Sequence, residues 1–339
     1  MNPNTVKLRT PYLVFVGDAG SGPFAKTAYG VRDWAPEACL GQYGLPGNTV
    51  ELDLPRMTPE EAAAAGAGSL LIGVAPMGGR FAPEWEAVMR SAAAAGLDII
   101  SGLHTPLAEI DGLAQIAKRR GVALHDIRQP RRSFPVATGE RRPGKRLLTV
   151  GTDCALGKKY TALALAKALQ ARGVDTDFRA TGQTGIMISG AGVAIDAVVA
   201  DFIAGAAEVL SPAAGPAHWD VIEGQGSLFH PSYSGVTLGL LHGSQPDVLI
   251  LCHDPTRSHI KSLPNFPLPL LNVAADLYLQ HARLTNPLAR LAGVSLNTSK
   301  LDETQRLRAF AATEELLGVP VFDPMKTSPD PIIDRVLTG

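Results

Sequence analysis

The chain has little cysteine, no surplus of charge of either sign and no long apolar run, and each shortage removes a class of protein. Its three cysteines, Cys39, Cys154 and Cys252, lie far apart with no CxxC pairing. That argues against a disulfide framework and against a structural zinc site. Lys plus Arg (31) and Asp plus Glu (32) nearly cancel. No global field attracts nucleic acid or an anionic membrane, so any anion site must be local. The first residues, MNPNTVKLRTPYLVFVGDAG, hold an apolar run too short for a signal peptide. No segment approaches about eighteen uninterrupted apolar residues. A cytoplasmic protein acting on small molecules is expected. What is present is 339 residues, 45% of them apolar, enough for two ordinary domains, each with its own core.

Strand-like and helix-like segments alternate in two series. The first runs YLVFVGD (12–18), TVELDL (49–54), SLLIGVA (69–75), LDIISGL (97–103) and VALHDIR (122–128). Between these lie helical stretches such as PEWEAVMRSAAAAG and PLAEIDGLAQIAKRRG, each ending at glycine as C-caps favour. Buried strands alternating with helices imply a parallel sheet covered on both faces, so residues 1–128 read as a Rossmann-like domain with ligands at the strand C-terminal ends. Residues 129–145, rich in Arg and Pro without periodicity, read as a linker. In the second series the strands RLLTVG (146–151), TDFRAT (176–181), WDVIEG (219–224), DVLILCHD (247–254), GVSLN (293–297) and VPVFD (319–323), with the helix KKYTALALAKALQARG, make 146–339 a P-loop NTPase-like domain. The fold class is therefore α/β, with two doubly wound parallel-sheet domains. The alanine-rich helices suit close packing against a partner, and a homo-oligomer is expected.

Between the first strand and helix of the second series stands Gly151-Thr152-Asp153-Cys154-Ala155-Leu156-Gly157-Lys158-Lys159-Tyr160. A glycine-rich turn from a buried strand into a helix points backbone N–H groups outward at the positive end of the helix dipole, and Lys158 adds a point charge, so the turn is a phosphate cradle. In a nucleotide hydrolase or kinase the next residue is Ser or Thr and ligates magnesium. Here it is Lys159. A second ammonium suits a site that anchors a phosphate without cleaving it, and no metal is expected. Thr161 lies two residues further, rotated about 200° round the helix.

The loop GTDCALGKK resembles the GTDTxVGKT loop of dethiobiotin synthetase, and DVIEGQGS (220–227) resembles that enzyme's VEGAGG segment. GVSLN resembles the strand whose terminal Asn, here Asn297, reads an adenine edge in that superfamily. A closer resemblance emerges from the loops as a set: GTDCALGKKYTALALAKAL, RATGQTGIMISGAGVAIDAVVADFIAGAAE, WDVIEGQGSLFHPSYSGVTLGLLHGSQPDVLILCHDPTR, GVAPMGGRFAPEW and GLDIISGLH. Over nearly the whole chain they resemble the DgcN family of bacterial D-glutamate N-acetyltransferases, with a Rossmann-like N-terminal and a P-loop C-terminal domain. The resemblance implies acetyl transfer from acetyl-CoA to the amino group of D-glutamate. Residues 151–160 and Asn297 would then hold the donor, whose diphosphate needs a handle and no phosphoryl chemistry.

Acyl transfer to an amine needs a base and donors for the oxyanion. An ammonium of pKa near ~9.5 costs roughly 3 kcal/mol to deprotonate at neutral pH. Glu223, ending a strand beside the loop, Asp18 after the first strand and His253 at the end of DVLILCHD are the candidate bases. For Glu223 the alternative is a residue that orders Lys158 or water, and for Asp18 a helix cap. Two substrate carboxylates call for guanidinium groups, and Arg80 and Arg257 are favoured. Gln183, Thr184, Gln225 and Ser227 supply neutral donors, with His104 and His230 ranked lower. Linker arginines such as Arg131, Arg132, Arg141 and Arg142 could reach a 3′-phosphate. The helix N-terminus and two lysines should depress the Cys154 pKa. Phosphate in the loop would oppose a thiolate, so direct attack by the amine is expected. The rival readings are an ATP- and magnesium-dependent ligase or kinase related to dethiobiotin synthetase, and a non-catalytic nucleotide sensor.

Overall fold

The computed structural model describes residues 6–20, 22–74, 82–103, 105–129 and 133–338. The chain divides into two compact units. One takes the chain up to residue 132 together with Gly182–Ala197; the other takes Ser133–Thr181 and the chain from Val198 onward.

In the first unit a small antiparallel pair, β1 (Val6–Lys7) with β9 (Ala191–Gly192), brings in the 182–197 segment. Its helix α6 (Gln183–Ser189) packs against α1 (Lys26–Trp34). The main sheet is parallel, in the order β3-β2-β4-β5-β6: β2 (Tyr12–Gly17), β3 (Cys39–Gly44), β4 (Ser69–Ile72), β5 (Asp98–Ser101) and β6 (Leu124–Asp126). Every residue of β2, β4 and β5 is buried, as strands covered on both faces require. Besides the short α2 (Pro59–Ala64), helices α3 (Pro83–Ala95) and α4 (Leu113–Arg120) close at Gly96 and Gly121, both left-handed, as their glycines foretell. The chain moves to opposite sides of β2 in going to β3 and β4, which makes the C-terminal end of β2 the switch point.

One expected strand is absent. TVELDL alternates correctly, and Val50 and Leu52 are buried, but residues 49–54 form no ladder. Asp53 takes a left-handed φ of 56°, and the Leu52 N–H goes to the Gln42 side chain at 2.7 Å. The pairing position is held by CLGQYG instead. Gly41 permits this because a Cβ there would lie 2.8 Å from the Pro55 carbonyl oxygen.

The second unit is a six-stranded parallel sheet in the order β15-β14-β11-β7-β10-β8. Its strands are β7 (Lys145–Gly151), β8 (Thr176–Arg179), β10 (Trp219–Ile222), β11 (Val248–His253), β14 (Arg290–Leu296) and β15 (Val321–Phe322). A short hairpin, β12 (His259–Ile260) with β13 (Leu263–Pro267), follows β11. Helices α5 (Lys158–Ala171), α7 (Ile203–Leu210), α8 (Ser234–Ser244), α9 (Leu271–Ala282), α10 (Glu303–Leu317) and α11 (Asp330–Thr338) flank the sheet. Leu147, Leu165, Leu169, Trp219, Val248, Ile250, Phe322 and Ile333 lie in one buried cluster that seats α5 and α11. The order reverses at β7, so the crevice beside its C-terminal end is the switch point, and the glycine-rich loop begins there.

Arg141 and Arg142, expected as possible phosphate ligands, are held at the opposite, N-terminal edge of this sheet. Arg141 pairs with Asp247, and Arg142 donates to the Ser211 and Gly243 carbonyls at 2.8 and 2.7 Å. Arg131 and Arg132 lie outside the described residues. Among the described residues no helix is long and apolar enough to cross a membrane.

Candidate active site

The loop after β7 is shaped by contacts that its sequence only partly announces. Ala155 sits at φ 52° and Gly157 at φ 112°. For alanine the left-handed conformation costs roughly 1–2 kcal/mol. Such a reversal turns successive N–H groups into one concavity, the geometry of an anion nest. Lys158 is buried, and its ammonium donates to the Asp153 carbonyl at 2.8 Å. The Tyr278 hydroxyl donates to the Gly151 carbonyl at 2.8 Å and accepts the Leu228 N–H at 3.1 Å. Burial raises that phenol to about 12, so it remains a donor.

Asp153 is fully buried beneath the loop. One carboxylate oxygen accepts the Cys154 N–H; the other accepts the Lys261 N–H at 2.8 Å and a guanidinium N–H of Arg257 at 2.9 Å. Arg257 also donates to the carbonyls of Cys154 at 2.9 Å and Ala155 at 2.8 Å, while its Nε faces Asp254 at 3.2 Å. The guanidinium expected at a substrate carboxylate is thus taken up by the protein's own groups.

Lys159, at the position of the metal hydroxyl, is half-buried with its ammonium 4.4 Å above the Tyr160 ring. Burial lowers the pKa of both lysines, and for Lys159 the nearby Glu223 carboxylate opposes that shift. Thr161 points away from the loop and shares a hydrogen bond with Ser295 at 2.7 Å, as its helical phase demands. Cys154 departs from expectation. Burial raises its pKa, and the lowering by Lys158 and Arg257 does not overcome this.

Glu223 follows β10 and is buried, its carboxylate accepting the Thr181 N–H at 3.1 Å. Gly224 lets this turn lie against β7: a Cβ there would fall 1.7 Å from the Thr149 carbonyl oxygen. The Thr149 hydroxyl in turn accepts the Gly224 N–H at 2.9 Å. Gln225 donates to the Thr181 hydroxyl at 3.2 Å, and the buried Ser227 hydroxyl accepts the Phe229 N–H at 3.2 Å. His253 Nδ1 lies 2.9 Å from the Thr152 hydroxyl, and burial pulls its pKa down to about 4. The imidazole is therefore neutral near pH 7. The Asn297 N–H donates to the His253 carbonyl at 2.8 Å, and its side-chain oxygen accepts the Ser299 N–H.

Residues Gly151–Tyr160, Glu223, Gln225, Ser227, His253, Arg257 and Asn297 thus belong to the second unit, while Asp18, Gln183 and Thr184 belong to the first. Asp18, exposed after β2, accepts the Trp85 indole N–H at 3.0 Å. Gln183 accepts an N–H of Arg128 at 3.0 Å, and the Thr184 hydroxyl lies 3.1 Å from that of Thr27. Arg80 and His104 fall outside the described residues. Tyr278, Thr149 and Thr181 escape a reading of the loop motifs. For Tyr278 the available signal is a lone phenol in an apolar helix, since a buried hydroxyl needs partners.

A glycine-rich loop at the switch point of a doubly wound parallel sheet, in a chain that also carries a Rossmann-like unit, defines a protein of the P-loop class. The family models agree: residues 135–333 match a domain of unknown function described as the P-loop domain of DUF1611, and residues 44–130 match its Rossmann-like N-terminal domain. The chain belongs to the DUF1611 family. It is similar to a protein of Tritonibacter scottomollicae named D-glutamate N-acetyltransferase, 49% identical over 97% of this chain and 99% of that one. A protein of the same name from a Pseudoalteromonas species is 44% identical, with the same coverage. The crystal structure of a DUF1611 family protein from Anabaena variabilis superposes with a TM-score of 0.86 at 33% identity, over 97% of this chain and 100% of that one. The resemblance read from the loops is borne out.

Proposed function

We propose that this chain is a D-glutamate N-acetyltransferase that moves the acetyl group of acetyl-CoA to the amino group of D-glutamate. The observation that carries the reading is its near full-length similarity, at 49% and 44% identity, to two proteins of that name. The local chemistry of the loop supports it. Coenzyme A presents phosphates to a cradle of N–H groups and offers no phosphoryl group for transfer. A lysine in place of the metal hydroxyl then adds charge where magnesium would otherwise supply it.

In this reading Lys158 and Lys159 offset the donor's phosphate charge, and no metal takes part. Lys158 releases the Asp153 carbonyl to do so. The uncharged amine of D-glutamate attacks the thioester carbonyl, the C–N bond forms and the C–S bond breaks. Glu223 accepts the proton from nitrogen and passes it to the departing sulfur, so coenzyme A leaves as the thiol. Glu223 is preferred to His253 because its carboxylate lies close enough to the Lys159 ammonium to act on it, beside the donor's cradle, whereas His253 turns Nδ1 to the Thr152 hydroxyl. Gln225 and Ser227, in the turn after Glu223, are the neutral donors nearest to that carboxylate in sequence.

The test is release of free thiol from acetyl-CoA by the purified protein, with D- or L-glutamate, with and without EDTA, beside an ATP control. Thiol release that requires D-glutamate and persists in EDTA is expected. Magnesium-dependent ADP formation without thiol release would replace this reading with a ligase or kinase.

A further inference from the structure

Three consecutive carbonyl oxygens of the phosphate loop accept hydrogen bonds from cationic side chains. Lys158 holds that of Asp153, and Arg257 holds those of Cys154 and Ala155. A trans peptide is planar, so fixing its carbonyl on one side of the chain aims the N–H of the same unit to the other. Arg257 thereby sets the direction of the Ala155 and Leu156 N–H groups. It reaches the loop from the turn after β11, where the Asp254 side chain accepts the Thr256 N–H at 3.0 Å and also faces the guanidinium. From beneath, the buried Asp153 carboxylate ties the same guanidinium to the Lys261 N–H.

Resting on the proposed function, we infer that Arg257, paired with Asp153, is a positioning residue for the acyl donor's phosphate and does not bind the acceptor. Its guanidinium holds the loop in the strained conformation that forms the nest, with Ala155 left-handed. Losing it frees two carbonyls to turn inward, where they repel an anion, and leaves Asp153 buried without its cation. A surface arginine recruited by a dicarboxylic acceptor would instead keep its donors for the ligand.

The experiment measures coenzyme A affinity by titration calorimetry, which needs no turnover, together with KM for each substrate and kcat, in the full chain. Arg257→Gln is expected to weaken coenzyme A binding and raise KM for acetyl-CoA about 10- to 100-fold, the range for charge-assisted hydrogen bonds. KM for D-glutamate should stay within about twofold of wild type. Arg257→Lys, which keeps the charge near Asp153 but not the fork onto two carbonyls, should fall between. It also serves as the readout if Arg257→Gln does not fold. Asp153→Asn should give the same donor-side defect, and the double variant should lose less than the product of the single losses. A raised KM for D-glutamate with unchanged coenzyme A affinity in the Arg257 variants would overturn the inference. Wild-type protein that binds coenzyme A without turnover would instead overturn the proposed function, while calorimetry still reads the role of Arg257.

Discussion

Nδ1 of His253 lies 2.9 Å from the Thr152 hydroxyl and joins the end of β11 to the second residue of the phosphate loop. Burial is the main reason that its pKa falls from 6.5 to about 4. A histidine with a depressed folded-state pKa binds its proton more readily unfolded, so its contribution is complete above the unfolded value and is lost as pH falls through the folded one. Acidification from about pH 6.5 to 4 should therefore cost this site of order 3 kcal/mol. Urea unfolding at a series of pH values would show a flatter dependence over that window in His253→Gln than in wild type. Parallel curves would refute the assignment.

Glu223→Gln keeps an acceptor for the Thr181 N–H and removes the base. Its kcat should fall about 10²- to 10⁴-fold, with little change in coenzyme A affinity. The deficit should shrink at alkaline pH, where hydroxide can take the proton that Glu223 otherwise accepts from nitrogen. A deficit constant from pH 7 to 10 would assign the carboxylate to ordering the loop.

Lys159→Met removes one ammonium from the mouth of the loop. A rise of about tenfold or more in KM for acetyl-CoA is expected, with KM for D-glutamate unchanged. Lys159→Ser restores the hydroxyl of a metal-binding loop. Activity that became magnesium-dependent in this variant would show that the lysine substitutes for the ion.

Gly224→Ala would place a methyl group 1.7 Å from the Thr149 carbonyl oxygen, a clash with backbone that no side-chain rotation relieves. A loss of about 3 kcal/mol or more is expected. Thermal unfolding would show it, and a melting temperature within a degree or two of wild type would contradict the close approach of this turn to β7.

The strands that line both switch points were legible because burial on two faces makes them short, continuous apolar runs: YLVFVGD, SLLIGVA, RLLTVG and DVLILCHD each contain an observed strand, which for SLLIGVA is Ser69–Ile72. The edge strand was not legible. CLGQYG carries two glycines and a glutamine, a poor strand by composition, and it wins over TVELDL through its fit against Pro55 and the bonds made by Gln42. In the site, the backbone features could be read ahead: the loop, its helix and the missing metal hydroxyl follow from spacing. The partners of charged groups could not. Arg257 looked ligand-facing because its neighbours in sequence do not include Asp153, 104 positions earlier, and Cys154 looked activated because the motif shows its lysines and not its burial. Whether a guanidinium is free, or a thiol desolvated, depends on residues a hundred positions away.

The passage of Gly182–Ala197 into the first unit has a consequence for anyone cutting this gene. A fragment beginning near residue 133 would keep the phosphate loop yet carry Ile186, Met187 and Ile195, all fully buried in the intact chain, with α1 and β1 gone. Those side chains would meet water as a sticky surface, and the complementary fragment would lack the strand that pairs with β1. Expression of either half calls for a spliced design, with 182–197 replaced by a short polar turn in one piece and grafted onto the end of the other.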